Sequence, residues 1–89
     1  MTEKFIEACV TADLEYIKRR VFVSIDLIND AAYEVCTRGG EKSADVLSLL
    51  YDHFELDSGD FGDLLYLVKV ATENDNLSAE NWLRETFNI

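Results

Sequence analysis

Apolar residues recur every three or four positions along almost the whole chain, the spacing of amphipathic helices. Phe5, Ile6, Cys9 and Val10 share a face behind Thr2, a candidate N-cap, and a break at Thr11–Asp13 precedes Leu14, Ile17 and Val21. A longer run follows at Leu27, Ile28, Ala31, Ala32, Val35 and Cys36, and Gly39–Gly40 stands where a helix would stop. Ser43 is placed to cap Val46, Leu49, Leu50 and Phe54, and Ser78 to cap Ala79, Trp82, Leu83 and Phe87. Between them a polar loop, Glu55–Asp60, leads into Phe61, Leu64, Leu65, Val68 and Ala71. The pattern predicts an all-α chain of about six short helices in three stacked pairs, residues 2–22, 27–54 and 61–87, forming a single domain over residues 1–89. Helices this short are unstable alone, so each must depend on packing its apolar face. Phe22-Val23-Ser24-Ile25 is the one candidate strand and is too short to build a sheet.

Three segments align with one another: Ala8 to Lys18, Val35 to Leu50, and Val70 to Leu83. Each closes a helix on small residues, turns near Ala, Gly or Asn, and opens a second helix, and the matched positions are Cys9, Cys36 and Ala71. Spacings of this size are a signature of repeated helix pairs. The segments resemble degenerate ankyrin repeats, most closely from Ala8 to Val21, with Leu49-Leu50 through Phe61-Gly62 standing where an inter-repeat loop would lie. The Thr-Pro-Leu-His signature is absent, and the loop around Phe22–Asp26 is short for a β-turn finger. A hairpin array without fingers, or a compact six-helix bundle, fits these departures. The resemblance implies a non-enzymatic protein-binding scaffold.

Charge changes the picture more than composition does. The chain has 89 residues, 48% hydrophobic, and a net charge of −10. Residues 1–25 are electrically balanced, so the entire excess lies from Asp26 onward. From Ser43 to Val68 there are six acids (Asp45, Asp52, Glu55, Asp57, Asp60, Asp63) and no Lys or Arg. Such a field repels nucleic acid and attracts a basic protein surface, including one that ordinarily holds nucleic acid. Solubility alone is the competing explanation. Charged residues interrupt the N-terminal apolar positions, and no run approaches the ~20 residues of a membrane helix. The expected location is cytoplasmic. Cys9 and Cys36 lack C-x-x-C spacing and read as buried, reduced thiols.

Candidate chemistry is sparse. His53, the single histidine, has no nucleophile and orienting group patterned beside it. Asp57, Asp60 and Asp63 fail the spacing of a calcium-binding EF-hand loop. Lys18-Arg19-Arg20 is one short basic cluster on a solvated face. No catalytic, cofactor or metal site is predicted. Tyr51, Phe54, Phe61 and Tyr66 cluster about the acidic loop, a mixture that suits an interface. The expected partner-binding residues are therefore Asp52, Phe54, Glu55, Asp57, Asp60, Phe61 and Asp63. The expected function is an adaptor or inhibitor that binds a basic partner surface. The alternative is a nucleic-acid mimic that occupies the groove of a DNA- or RNA-binding host protein, as a phage-encoded anti-defence protein would. Oligomeric state is left open.

Overall fold

The computed structural model describes residues 2–89 and is all-helical. The helices are α1 (Thr2–Val10), α2 (Leu14–Arg19), α3 (Ile25–Arg38), α4 (Ser43–His53), α5 (Leu64–Glu73) and α6 (Leu77–Phe87), with a 3₁₀ turn at Ser58–Phe61 before α5. Among the described residues there is no strand. Consecutive helices pair as α1–α2, α3–α4 and α5–α6. The pairs stack so that α1, α3 and α5 form one row and α2, α4 and α6 another. The result is a compact six-helix bundle whose contacts show no periodicity specific to ankyrin repeats.

Helix α3 runs through the centre and buries Leu27, Ile28, Ala31, Ala32, Val35 and Cys36. The two alanines on this stripe are fully buried, and their small side chains let α1 and α5 pack close on either side. Phe5, Cys9, Ile17, Val46, Leu47, Leu50, Phe61 and Leu83 are the largest fully buried side chains that join it, with smaller neighbours, in one continuous core. Both cysteines lie in it as free thiols.

The turn that closes α1 and the turn that closes α5 are built alike, 63 residues apart. The Asp13 N–H donates to the Ala8 carbonyl and the Asn76 N–H to the Ala71 carbonyl, both at 2.8 Å. Ala12 (φ 61°) and Asp75 (φ 55°) occupy the left-handed region between them. The next residue then caps the following helix: Asp13 Oδ1 accepts from the Tyr16 N–H and Asn76 Oδ1 from the Ala79 N–H. This register pairs Ala71 with Ala8 rather than with Cys9, a one-residue shift from the alignment read off the sequence. The middle turn differs. Gly39 ends α3 in an extended conformation, and a Cβ there would collide with Ser43 Oγ and the Val35 carbonyl.

Two expected caps are reassigned. Ser43 lies inside the first turn of α4 and donates to the Gly40 carbonyl, while Ser78 accepts from the Ala44 N–H and so caps α4 instead of its own helix. Asn76 is the N-cap of α6. The cap expected at Thr2 concerns a side chain outside those described. Helix α2 stops at Arg19, so Val21 is 95% exposed and Val23 is the residue that turns into the core.

Candidate interaction surface

The acidic loop follows α4. Its entry is a left-handed turn at Glu55 (φ 51°), closed by the Leu56 N–H donating to the Tyr51 carbonyl at 3.0 Å. Three of its aspartates are tied to backbone. Asp57 and Asp60 form a capping box about the 3₁₀ turn, with the Asp57 N–H donating to Asp60 Oδ2 at 2.8 Å. Asp63 caps α5 by accepting from the Tyr66 N–H at 3.2 Å. Asp52 and Glu55 are exposed and make no ion pair among the described residues.

Of the four aromatics expected to anchor a partner here, Phe61 points inward, Tyr51 and Phe54 are half-buried, and Tyr66 alone is exposed, on α5. Phe61 is 1% exposed, with its ring 6.0 Å from Tyr51, 5.9 Å from Trp82 and 6.2 Å from Phe87. It is a core residue and offers no surface to a partner. Trp82 is half-buried over this cluster. Phe54 is half-buried against Phe5 at 6.2 Å. The expected contact set thus separates into exposed acids (Asp52, Glu55, Asp57, Asp63), a half-buried Asp60 and Phe54, and a buried Phe61.

Exposed apolar side chains gather elsewhere. On the face shared by α3 and α5, Tyr33 and Tyr66 lie 6.1 Å apart with ring planes only 6° from parallel. Both rings are partly open to solvent, as are Ile25 at the start of α3 and Leu65 beside Tyr66. Asn29, between Ile25 and Tyr33, ties α3 to the 3₁₀ turn before α5 by donating to the Asp60 carbonyl at 2.7 Å. Gly62 packs beside it at φ +90°, where a Cβ would strike Asn29 Oδ1. The Tyr33 phenol is pushed above its ordinary value, first by the neighbouring Tyr66 and then by burial, with Glu34 and Glu73 adding negative field. A second apolar feature is an open groove of about 440 Å³ beside the exposed Val21 and Phe22, with His53 and Phe54 on its other wall. His53 Nε2 lies 2.9 Å from the Arg20 carbonyl and pins that loop to α4.

Sequence reasoning missed Phe22, Ile25, Tyr33 and Leu65 as surface residues. For Tyr33 a signal existed: it falls out of phase with the stripe Ala31, Ala32, Val35, Cys36, so a helix that buries the stripe must expose it.

Electrostatically, the surface is mostly uncompensated. Of 18 acidic residues, ion pairs among the described residues engage only Glu7 and Glu34 (both with Arg38, 2.7 Å) and Glu80 (with Arg84, 3.0 Å). No group of three or more metal-ligating side chains is assembled among the described residues. Burial pushes both thiols up to about 12, so neither is a thiolate at neutral pH. No helix among the described residues is long and apolar enough to cross a membrane. No family model matches the chain, and comparison with curated proteins and with solved structures gave no match.

Proposed function

We propose that the protein is a non-enzymatic interaction module, an adaptor or inhibitor, that binds a basic surface of a partner protein. The observation that carries this reading is the uncompensated acidity: a net charge of −10 with three carboxylates in ion pairs among the described residues. A field of this kind accelerates encounter with a basic partner and disfavours acidic ones. We place the scaffold among ankyrin-like hairpin arrays lacking fingers. The two-row stacking of consecutive pairs supports that placement. Stacked hairpins share one core and present a broad rigid surface, which suits binding.

The test is affinity capture from host lysate at low salt with a salt elution series. It is run beside a variant carrying Asp52→Asn, Glu55→Gln, Asp57→Asn, Asp60→Asn and Asp63→Asn. Asparagine retains a capping oxygen, so the variant keeps its turns. The expected result is a basic partner released by moderate salt and captured poorly by the variant, chiefly through slower association. Equal capture by both proteins would refute the placement of the acidic contact on this loop. The nucleic-acid-mimic form of the proposal makes a further demand: duplex DNA must compete for the captured partner.

A further inference from the structure

We propose that the α3–α5 face built on the Tyr33–Tyr66 stack is the docking site for an arginine-bearing segment of a basic protein. This rests on the reading of the protein as an acidic binding module, and it names the site and the side chain that the site takes. The face differs from the acidic loop, whose Phe61 is buried and three of whose aspartates are committed to caps.

The two tyrosines do little for the core. They are 38% and 49% exposed, and neither belongs to the buried cluster or packs as a half-buried member of it. With centroids 6.1 Å apart and nearly parallel planes, they form a displaced stack that leaves π surface open. Ile25, two turns before Tyr33 on α3, and Leu65, next to Tyr66 on α5, are 47% and 69% exposed. Beside the stack, Asn29 bonds α3 to the Asp60 carbonyl of the 3₁₀ turn that leads into α5, and Gly62 admits that close approach. A pre-positioned aromatic platform loses little entropy on binding.

The charge around the platform decides its occupant. Helix α3 contributes Asp26 and Asp30, both exposed, while its Glu34 is already paired with Arg38. Helix α5 and its cap contribute Glu73 and Asp63, against a single base, Lys69. Open aromatic faces within a negative field select a cation that can also stack, and guanidinium does both more readily than ammonium. Arginine's aliphatic stem would also cover Ile25 or Leu65. Nucleobases stack equally well on tyrosine, but their phosphates are repelled here.

The probes are nona-arginine, nona-lysine and a single-stranded oligothymidine, each titrated into the isotope-labelled protein at low salt. Amide and tyrosine-ring shifts locate the site. Nona-arginine is expected to shift residues 25–34 and 62–69 and to bind severalfold tighter than nona-lysine. Tyr33→Ala and Tyr66→Ala should each weaken it roughly 2- to 5-fold, the effect of losing an exposed cation–π contact. Tyr33→Phe with Tyr66→Phe should stay within about twofold of the parent, since the π faces remain. Shifts centred on residues 52–60, or equal arginine and lysine affinities untouched by the alanine variants, would overturn this site while leaving the acidic-module reading standing. Absence of binding by either peptide would overturn both. Oligothymidine binding at the stack would overturn the assignment to arginine.

Discussion

Asn76 is the residue on which the second and third helix pairs depend, and removing it should be costly far beyond its size. It is 6% exposed. Its Oδ1 accepts from the Ala79 N–H at 3.1 Å, and its Nδ2 donates to the Val35 carbonyl at 2.9 Å and to Ser43 Oγ at 3.0 Å. One side chain therefore caps α6 and ties it to the end of α3 and the start of α4. Asn76→Ala loses the cap, worth about 1 kcal/mol, and two buried hydrogen bonds, about 1 kcal/mol each. Val35 and Ser43 keep other partners, since the Gly39 N–H still donates to the Val35 carbonyl and Ser43 still donates to the Gly40 carbonyl. The loss should therefore be about 3 kcal/mol, out of the roughly 4–13 kcal/mol total stability of a domain this long. That corresponds to a fall in melting temperature of roughly 12–24 °C. Asn76→Asp separates the two roles: it keeps the cap acceptor but sets a carboxylate against the Val35 carbonyl. It should be destabilised at pH 7 and regain part of the loss at pH 4, where the protonated acid can donate. The assay is urea unfolding followed by circular dichroism at both pH values. Asp13, its counterpart in the first turn, is exposed and only a cap, so Asp13→Asn should change little. An Asn76→Ala variant within 0.5 kcal/mol of the parent, by the same order-of-magnitude reckoning, would refute the tie between the pairs.

Two further outcomes follow from the backbone and the core. Ala12 sits at φ 61° with a Cβ that opposes that conformation, so Ala12→Gly should raise stability by about 1 kcal/mol, or roughly 4–8 °C, in a thermal melt; an unchanged or lowered midpoint would count against strain there. Burial raises Cys9 and Cys36 to about 12, against an ordinary thiol near 9, so the folded state holds its protons while the unfolded chain releases them. The stability from these thiols is whole below pH 9 and is lost as pH rises from 9 toward 12, by about 1.4 kcal/mol per pH unit for each. Urea melts at pH 8, 9.5 and 10.5 should show a steeper alkaline loss for the parent than for a Cys9→Ala, Cys36→Ala double variant, and parallel curves would contradict the burial argument.

The helices were legible because their apolar spacing is regular and each had to bury one face: the stripe from Leu27 to Cys36 is the buried face of α3. The caps were not, for a physical reason. Asn74, Asn76 and Ser78 are all competent capping residues within five positions. What selects Asn76 is the Val35 carbonyl and Ser43 hydroxyl, 41 and 33 residues away, which no local pattern carries. The same holds at Ser78, whose hydroxyl serves Ala44 across the bundle. The acidic loop was legible as charge, but not as geometry. Phe61 reads equally well as an anchor or as a core residue, and the ring cluster with Tyr51, Trp82 and Phe87 places it inside. The Tyr33–Tyr66 stack depends on α3 lying beside α5, a pairing of residues 33 positions apart.

Besides the three carboxylates in ion pairs, two groups of acids bear on where a partner can bind. Asp13, Asp57, Asp60 and Asp63 accept or cap backbone N–H groups at helix and turn starts. A partner arginine that captured one of these carboxylates would compete with the bond that holds the turn, so part of the contact energy would be spent against the fold. Asp26, Asp30, Asp52, Glu55 and Glu73 carry no such bond to backbone and are exposed. They can turn toward a cation without loosening a cap. Of these, Asp26 and Asp30 share α3 with Tyr33, and Glu73 lies close enough to raise the Tyr33 phenol. Aromatic area and uncommitted charge therefore coincide on the α3–α5 face, whereas on the loop the aromatic is buried and most of the charge is engaged. Long-range attraction does not distinguish the two populations, since every carboxylate contributes to the field within a Debye length of about 10 Å at 0.1 M salt. Neutralising the loop should therefore slow association, and removing the tyrosines should speed dissociation.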